Sequence, residues 1–310
     1  MKVSLLPLVA FLTIAHAANL PPPELYWKSR LPTTAMPTSI TDLLHSAGGG
    51  TPVHTKYDYG DDSAASFLKY GGGVFIIYDE PETQLQHNPF ASLLFLEKDL
   101  KPGHTKNLIF TKTSNQASFL PRRVVKSIPF SSTKVDEILR TFSAKPGSTE
   151  AEMMKNTIKA CEESGIKGEE KYCALSLESM VDFITSKLGR HVEALSTELI
   201  MKKEAKKKEY RIMHRVKKVE EANLVVCHKL SYVYAVFYCH KMETTGAYTV
   251  PLQGEDGSKV NAMAICHTDT SEWNPKHLAF QVLKVKPGSV PVCHFLAQET
   301  VLWVPRKTPN

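Results

Sequence analysis

The chain has no Asn-x-Ser/Thr sequon, no Cys-x-x-Cys pair, no Gly-x-Ser-x-Gly, no His-Glu-x-x-His and no phosphate-binding glycine loop. N-glycosylation is therefore not expected, and neither is the zinc site usual in the cytosol. Serine-hydrolase, zinc-protease and nucleotide-binding readings are left without a motif. After Ile14 no apolar run approaches the ~20 residues that cross a bilayer as a helix, so no membrane partner is expected. Strong charge is missing too. With 38 Lys and Arg against 32 Asp and Glu, the net +6 suits loose contact with an acidic polymer such as pectate but is too small to argue for nucleic acid. At 42% hydrophobic and 23% charged, the 310 residues are ordinary globular material, enough for one large domain plus an arm or for two small domains.

The N-terminus carries Lys2, an apolar run from Leu5 to Ile14 and then Ala15-His16-Ala17, the small-x-small pattern cut by signal peptidase. Residues 1–17 are expected to be a signal peptide, which makes the mature chain secretory. An even cysteine count in that setting predicts disulfides among Cys161, Cys173, Cys227, Cys239, Cys266 and Cys293. Cys161 is expected to pair with Cys173, which lies in the same helical region, and the other four to pair among themselves.

Residues 18–45, with Pro21-Pro22-Pro23 and Tyr26-Trp27, predict a proline-rich docking arm of extended segments with one amphipathic turn near Leu43 and Leu44. Residues 46–90 contain two glycine triplets, Gly48–Gly50 and Gly71–Gly73, and predict a variable, poorly ordered linker. The main domain is expected over 91–306. In ASLLFLEKDLKPGHTKNLIFTK two apolar runs are split by Lys101-Pro102-Gly103, a strand, turn, strand pattern. Helices are predicted over 135–142, over 149–161 with a Thr149-x-x-Glu152 capping box, and over 177–188 with Gly189 as the stop. The basic stretch from Lys202 to Lys218 is broken by Glu204, Glu209 and apolar residues and reads as a solvated helix or strand. Beyond Asn223, β-branched and aromatic segments alternate with Gly, Asp and Pro turns. The fold class is thus α+β, with short helices in the first half and a disulfide-stapled antiparallel β-sheet in the second.

Four Cys-His dipeptides punctuate that second half: Cys227-His228, Cys239-His240, Cys266-His267 and Cys293-His294, separated by 10, 25 and 25 residues. They use four of the six cysteines and four of the twelve histidines. Successive side chains on a strand point to opposite faces, so each cysteine and its histidine diverge. One face can be stapled while the other presents imidazoles. The first gap is about a hairpin, which brings Cys227 and Cys239 into neighbouring strands. Clustered imidazoles suit copper or zinc, whereas a single histidine of this kind more often bonds a backbone carbonyl. His54, His87 and His104 read as surface residues.

This spaced set resembles the signature of the plant BURP-domain family, and FLEKDLKPG, YAVFYCH, VPLQGEDGSKVNAMAICHTDTSEWNPKHLAF and VKPGSVPVCHF followed by VLWVP extend the resemblance over roughly residues 92–306. Some members of that family resemble autocatalytic, copper-dependent peptide cyclases, which join a Tyr oxygen or Trp nitrogen to an unactivated carbon with dioxygen. Others are described as seed, stress-responsive or cell-wall proteins, one of them a non-catalytic partner of polygalacturonase. The resemblance implies copper as cofactor, with His228, His240, His267 and His294 as ligands and as the catalytic set if the chain is a cyclase. His277 in NPKHLAF is a further ligand candidate or a partner to a ligand.

A fused cyclase needs a core peptide, and the family's Gln-Pro-Tyr-Gly type of core is missing. Tyr57, Tyr59 and Tyr70 in HTKYDYGDDSAASFLKY are the nearest candidates, against a plain reading as a solvated acidic linker. Three functions follow from the resemblance: a secreted structural or regulatory protein of wall, seed or stress response; a copper-dependent cyclase acting on its own N-terminal segment or a separate peptide; and a module associated with pectic polysaccharide or a wall enzyme. The expected location is extracellular, in the cell wall, or in protein storage vacuoles.

Overall fold

The structure, a computed structural model, describes residues 23–45, 81–85, 88, 90–110, 117–200 and 208–307. The expected signal peptide, most of the expected linker, His54, His87, Tyr57, Tyr59 and Tyr70 lie outside the described residues.

The first helices are α1 (Pro23–Arg30) and α2 (Thr38–His45). Residues 23–30 are therefore helical where an extended segment was expected, and α2 falls on the amphipathic turn expected near Leu43 and Leu44. Proline is tolerated in the first turn of a helix because its missing N–H has no intrahelical partner there, so Pro23 opens α1 instead of preventing it. A short helix α3 (Glu82–Leu85) and the buried Phe90 follow, so structure begins inside the stretch expected to be linker. Then come β1 (Leu94–Leu96), β2 (Thr105–Leu108), α4 (Arg122–Val125), α5 (Val135–Thr141), α6 (Thr149–Glu162), β3 (Glu169–Ala174) and α7 (Leu177–Leu188). The cap of α6 is Ser148, whose hydroxyl accepts from the Ala151 N–H, one residue before the predicted capping box. Gly189, with φ of 79°, ends α7 as predicted.

The remaining elements are β4 (Val192–Leu195), β5 (Glu198–Leu199), β6 (Lys208–Ile212), β7 (Lys217–Glu221), β8 (Val225–Leu230), β9 (Val236–Met242), β10 (Thr245–Gly254), β11 (Lys259–His267), α8 (Leu278–Leu283), β12 (Val292–Phe295) and β13 (Val301–Pro305). They form two antiparallel sheets where one was expected. One runs β1-β12-β11-β10-β6-β2, with β5 against β11 and β7 against β10; the other runs β3-β9-β8-β13-β4. The two strands flanking Lys101-Pro102-Gly103 do not pair with each other. β1 pairs with β12 and β2 with β6, because each apolar run finds its partner far along the chain.

The period-2 alternation explains how the sheets meet. Val226, Leu302 and Val304 of the five-stranded sheet and Ala247, Met263 and Ile265 of the eight-stranded sheet bury one another between the layers. The opposite faces are covered separately. Val225, Cys227, Phe237, Cys239 and Trp303 pack under α7 and the N-terminal arm, while Ala264, Cys266, Cys293 and Phe295 pack with α8 and the segment around β1. A third cluster joins α5 and α6 to Tyr232, Tyr234 and Val236. Among the described residues no helix is long and apolar enough to cross a membrane.

Candidate metal centre

Each Cys-His dipeptide splits across its strand as alternation requires. Cys227 stands directly opposite Cys239 in the β8·β9 ladder, and Cys266 opposite Cys293 in β11·β12. The Cα atoms of these pairs are 3.9 and 4.0 Å apart, and both pairs are disulfide-bonded. The third bridge joins Cys161, at the end of α6, to Cys173 on β3; it is the expected pairing, though between a helix and a strand. The Cys227–Cys239 and Cys266–Cys293 bridges lie on the outer faces, so the four histidines all turn into the space between the sheets.

There they are neighbours. The ring centroids of His228 and His240 are 5.3 Å apart, those of His228 and His294 6.2 Å, and those of His267 and His294 5.7 Å in a stacked arrangement. The Nε2 atoms of His228 and His240 approach to 3.3 Å. All four histidines bound a void of about 10 Å³ beside Thr245 and Met242, and they also line a larger cavity of about 90 Å³. A void of ~10–15 Å³ is room for a single water-sized occupant. Glu169, Lys171, Tyr238, Trp273 and His277 also line the larger cavity.

Burial is the main electrostatic influence here. It pushes His228 and His267 well below the usual 6.5, and the neighbouring rings add to the effect. His294 is pushed down to about 4 by burial, against a hydrogen bond to the Phe295 carbonyl. Three of the four imidazoles are thus neutral at pH 7, the form that binds metal. At His294 the Nδ1–H donates to the Phe295 carbonyl oxygen at 3.4 Å, which leaves the Nε2 lone pair for a ligand. The cysteines are all bridged, so no thiolate competes among the described residues.

His277 is arranged differently. Its Nδ1 accepts the Ala279 N–H at 3.1 Å, making it the N-cap of α8, and its ring lies 4.8 Å from that of Trp273. Burial pushes it down to about 4, so it is neutral, and a neutral imidazole that accepts at Nδ1 carries its proton on Nε2. That tautomer fits a donor on the cavity wall better than a ligand. His104 is exposed, as expected.

Sequence reading missed Glu169, Tyr238 and Trp273. Tyr238 was within reach of it, since alternation places residue 238 on the same face as His240. Trp273 stands 4.9 Å from His267 on the loop before α8. Glu169 has no spacing signal: only the pairing of β3 with β9, in which Lys171 faces His240, brings it to the cavity.

Neutral imidazoles around a small void fit copper or zinc by donor type. Among the described residues, however, no three His, Cys, Asp or Glu side chains stand ready-made around one metal position.

Comparison with known proteins bears on this arrangement. The profile of the BURP domain matches residues 93–305. The chain is 50% identical over 266 residues to BURP domain protein RD22 of Arabidopsis thaliana, covering 84% of this chain and 65% of that protein. It is 44% identical over 295 residues to BURP domain-containing protein 5 of Oryza sativa subsp. japonica, covering 94% and 89%. With BURP domain-containing protein 3 of the same rice it shares 52% identity over 231 residues, covering 73% of this chain and 53% of that one. It therefore spans just under two thirds of the first of these relatives and about half of the third.

Proposed function

This chain belongs to the BURP-domain family of plant proteins, and from that premise we propose that it is a secreted protein that holds copper in its four-histidine pocket and oxidises a peptide side chain there. The observation that carries the reading is the meeting of His228, His240, His267 and His294 around one void while all four partner cysteines are locked in disulfides on the opposite faces. The disulfides suit an oxidising compartment. Copper bound by these imidazoles would supply electron exchange with dioxygen, the oxidation needed to join a Tyr or Trp side chain to carbon with loss of two hydrogens. The protein's own part is to keep the imidazoles neutral, to exclude bulk water by burial, and to orient a peptide along the wall that carries Tyr238, Lys171 and Trp273.

Trp27 is not a substrate in this reading, because it is 2% exposed and its Nε1–H is committed to the Thr34 carbonyl. The peptide is then the chain's own 51–70 stretch, with Tyr57, Tyr59 and Tyr70, or a separate one. The burial of Trp27 also favours a second reading, a non-catalytic wall, seed or stress protein in which the pocket only stores or senses the metal. Contact with pectic polysaccharide or a wall enzyme belongs to that second reading.

Copper-reconstituted protein, with disulfides intact, separates the two. We expect about one or two equivalents of Cu(II) with the paramagnetic resonance signature of nitrogen ligation, and loss of most binding in the His240→Ala, His294→Ala double variant. A two-hydrogen mass loss within residues 51–70 after exposure to air makes the protein a cyclase of its own chain. Copper without a mass change points to a separate peptide or to the second reading. Absence of specific copper removes the metal from both.

A further inference from the structure

We propose that Glu169 is the positioning residue of the pocket, the group that sets the tautomer and direction of His240. The inference rests on the copper reading for its purpose, but its geometry stands without a metal. One carboxylate oxygen of Glu169 lies 2.8 Å from His240 Nδ1 and accepts the Tyr238 hydroxyl at 3.0 Å. The other accepts the Ile166 N–H at 3.1 Å. The Glu169 and His240 side chains are only 7% and 9% exposed, so water does not replace these bonds. Burial alone would push the Glu169 carboxyl up, yet the bonds from His240, Ile166 and Tyr238 hold it below the usual range.

A carboxylate is an acceptor only, so His240 donates from Nδ1, and its Nε2 is turned toward the Nε2 of His228, 3.3 Å away. Without metal, the two Nε2 atoms share one hydrogen bond; a cation between them would take its place. This is the arrangement in which an outer carboxylate orients a ligating imidazole and raises its basicity.

Two further features hold Glu169 in place, and neither belongs to the Cys-His set. The Cys161–Cys173 bridge ties the end of α6 to β3 and so closes the loop that delivers Glu169. Within that loop, a Cβ on Gly165 would come within 2.9 Å of Glu169 Oε2, so the absence of a side chain at 165 leaves the space that the carboxylate occupies.

The test uses the full oxidised chain. In metal-free protein, nitrogen-15 resonances of labelled histidine are expected to show His240 protonated at Nδ1; an unprotonated Nδ1 overturns the inference whether or not copper binds. With Cu(II) as the probe, Glu169→Gln is expected to weaken binding by about 10- to 100-fold and to shift the copper hyperfine pattern. Gly165→Ala, which displaces the carboxylate without removing it, should move both in the same direction by less. Wild-type affinity and spectrum in Glu169→Gln would reduce Glu169 to a structural role. If the wild type takes up no copper, the copper reading fails and the tautomer alone decides the role of Glu169.

Discussion

Five histidines face the cavity, and four of them titrate well below an ordinary imidazole: His228 and His267, with His277 and His294 at about 4. The consequence is a stability that depends on pH in a defined direction. The unfolded chain takes up protons near 6.5 while the folded chain resists until lower pH, so between those values the unfolded state holds more protons and stability rises with pH. For His277 and His294 the contribution is complete above about 6.5 and is lost as pH falls toward about 4, at up to ~1.4 kcal/mol per pH unit for each; His228 and His267 act in the same direction. Metal-free protein should accordingly melt several degrees lower at pH 4.5 than at pH 7, as read by calorimetry. His277→Asn, which keeps an N-cap acceptor, should flatten part of that slope. A level profile would mean that the folded imidazoles are already charged.

At the scale of elements, α1 is fastened at several points to the domain that follows it. Trp27 packs 5.3 Å from Trp303, and Thr34 donates to the Val192 carbonyl at 2.6 Å. Tyr26 donates to Asp182, which also takes Arg122 at 2.6 Å. Arg190 donates to the carbonyls of Ser29 and Arg30 at 2.6 and 2.9 Å. The Tyr26, Arg122 and Arg190 contacts are partly exposed and weak singly, so the aromatic contact should dominate. Trp27→Ala is expected to cost about 3–5 kcal/mol, measurable as a shift in the urea midpoint, whereas Arg190→Ala should cost under about 1 kcal/mol. Equal effects would make the arm an electrostatic attachment. The elements also show how far local reading goes. Helices α6 and α7 were legible because their caps and apolar stripes are local signals. Helix α1 was not, since Pro21–Pro23 reads as extended until burial of Trp27 selects a helix.

For the whole molecule, the decisive contact is sheet on sheet. The pocket has walls from both layers, His228 and His240 from one and His267 and His294 from the other, so it keeps its shape only while the layers stay in register. Leu302, fully buried between them, carries none of the site's chemistry. Leu302→Ala should cost about 2–5 kcal/mol and lower copper affinity together with the melting temperature. The three disulfides should persist on non-reducing peptide mapping, because each bridge lies within one sheet or its attached helix. Copper affinity that survives a large loss of stability would show that one sheet alone suffices for binding.

The local pattern by itself singled out the four Cys-His dipeptides and split each across its strand. Period-2 alternation in β-branched strands sends each cysteine to one side and its histidine to the other, and that follows from backbone geometry alone. Caps and turn residues likewise marked α6 and α7. Only the tertiary structure decided that the strands divide into two facing sheets, that both sets of imidazoles point into one pocket, and that Glu169 stands behind His240. Strand pairing across long stretches of chain is settled by which apolar faces bury one another, and no short-range signal records that outcome.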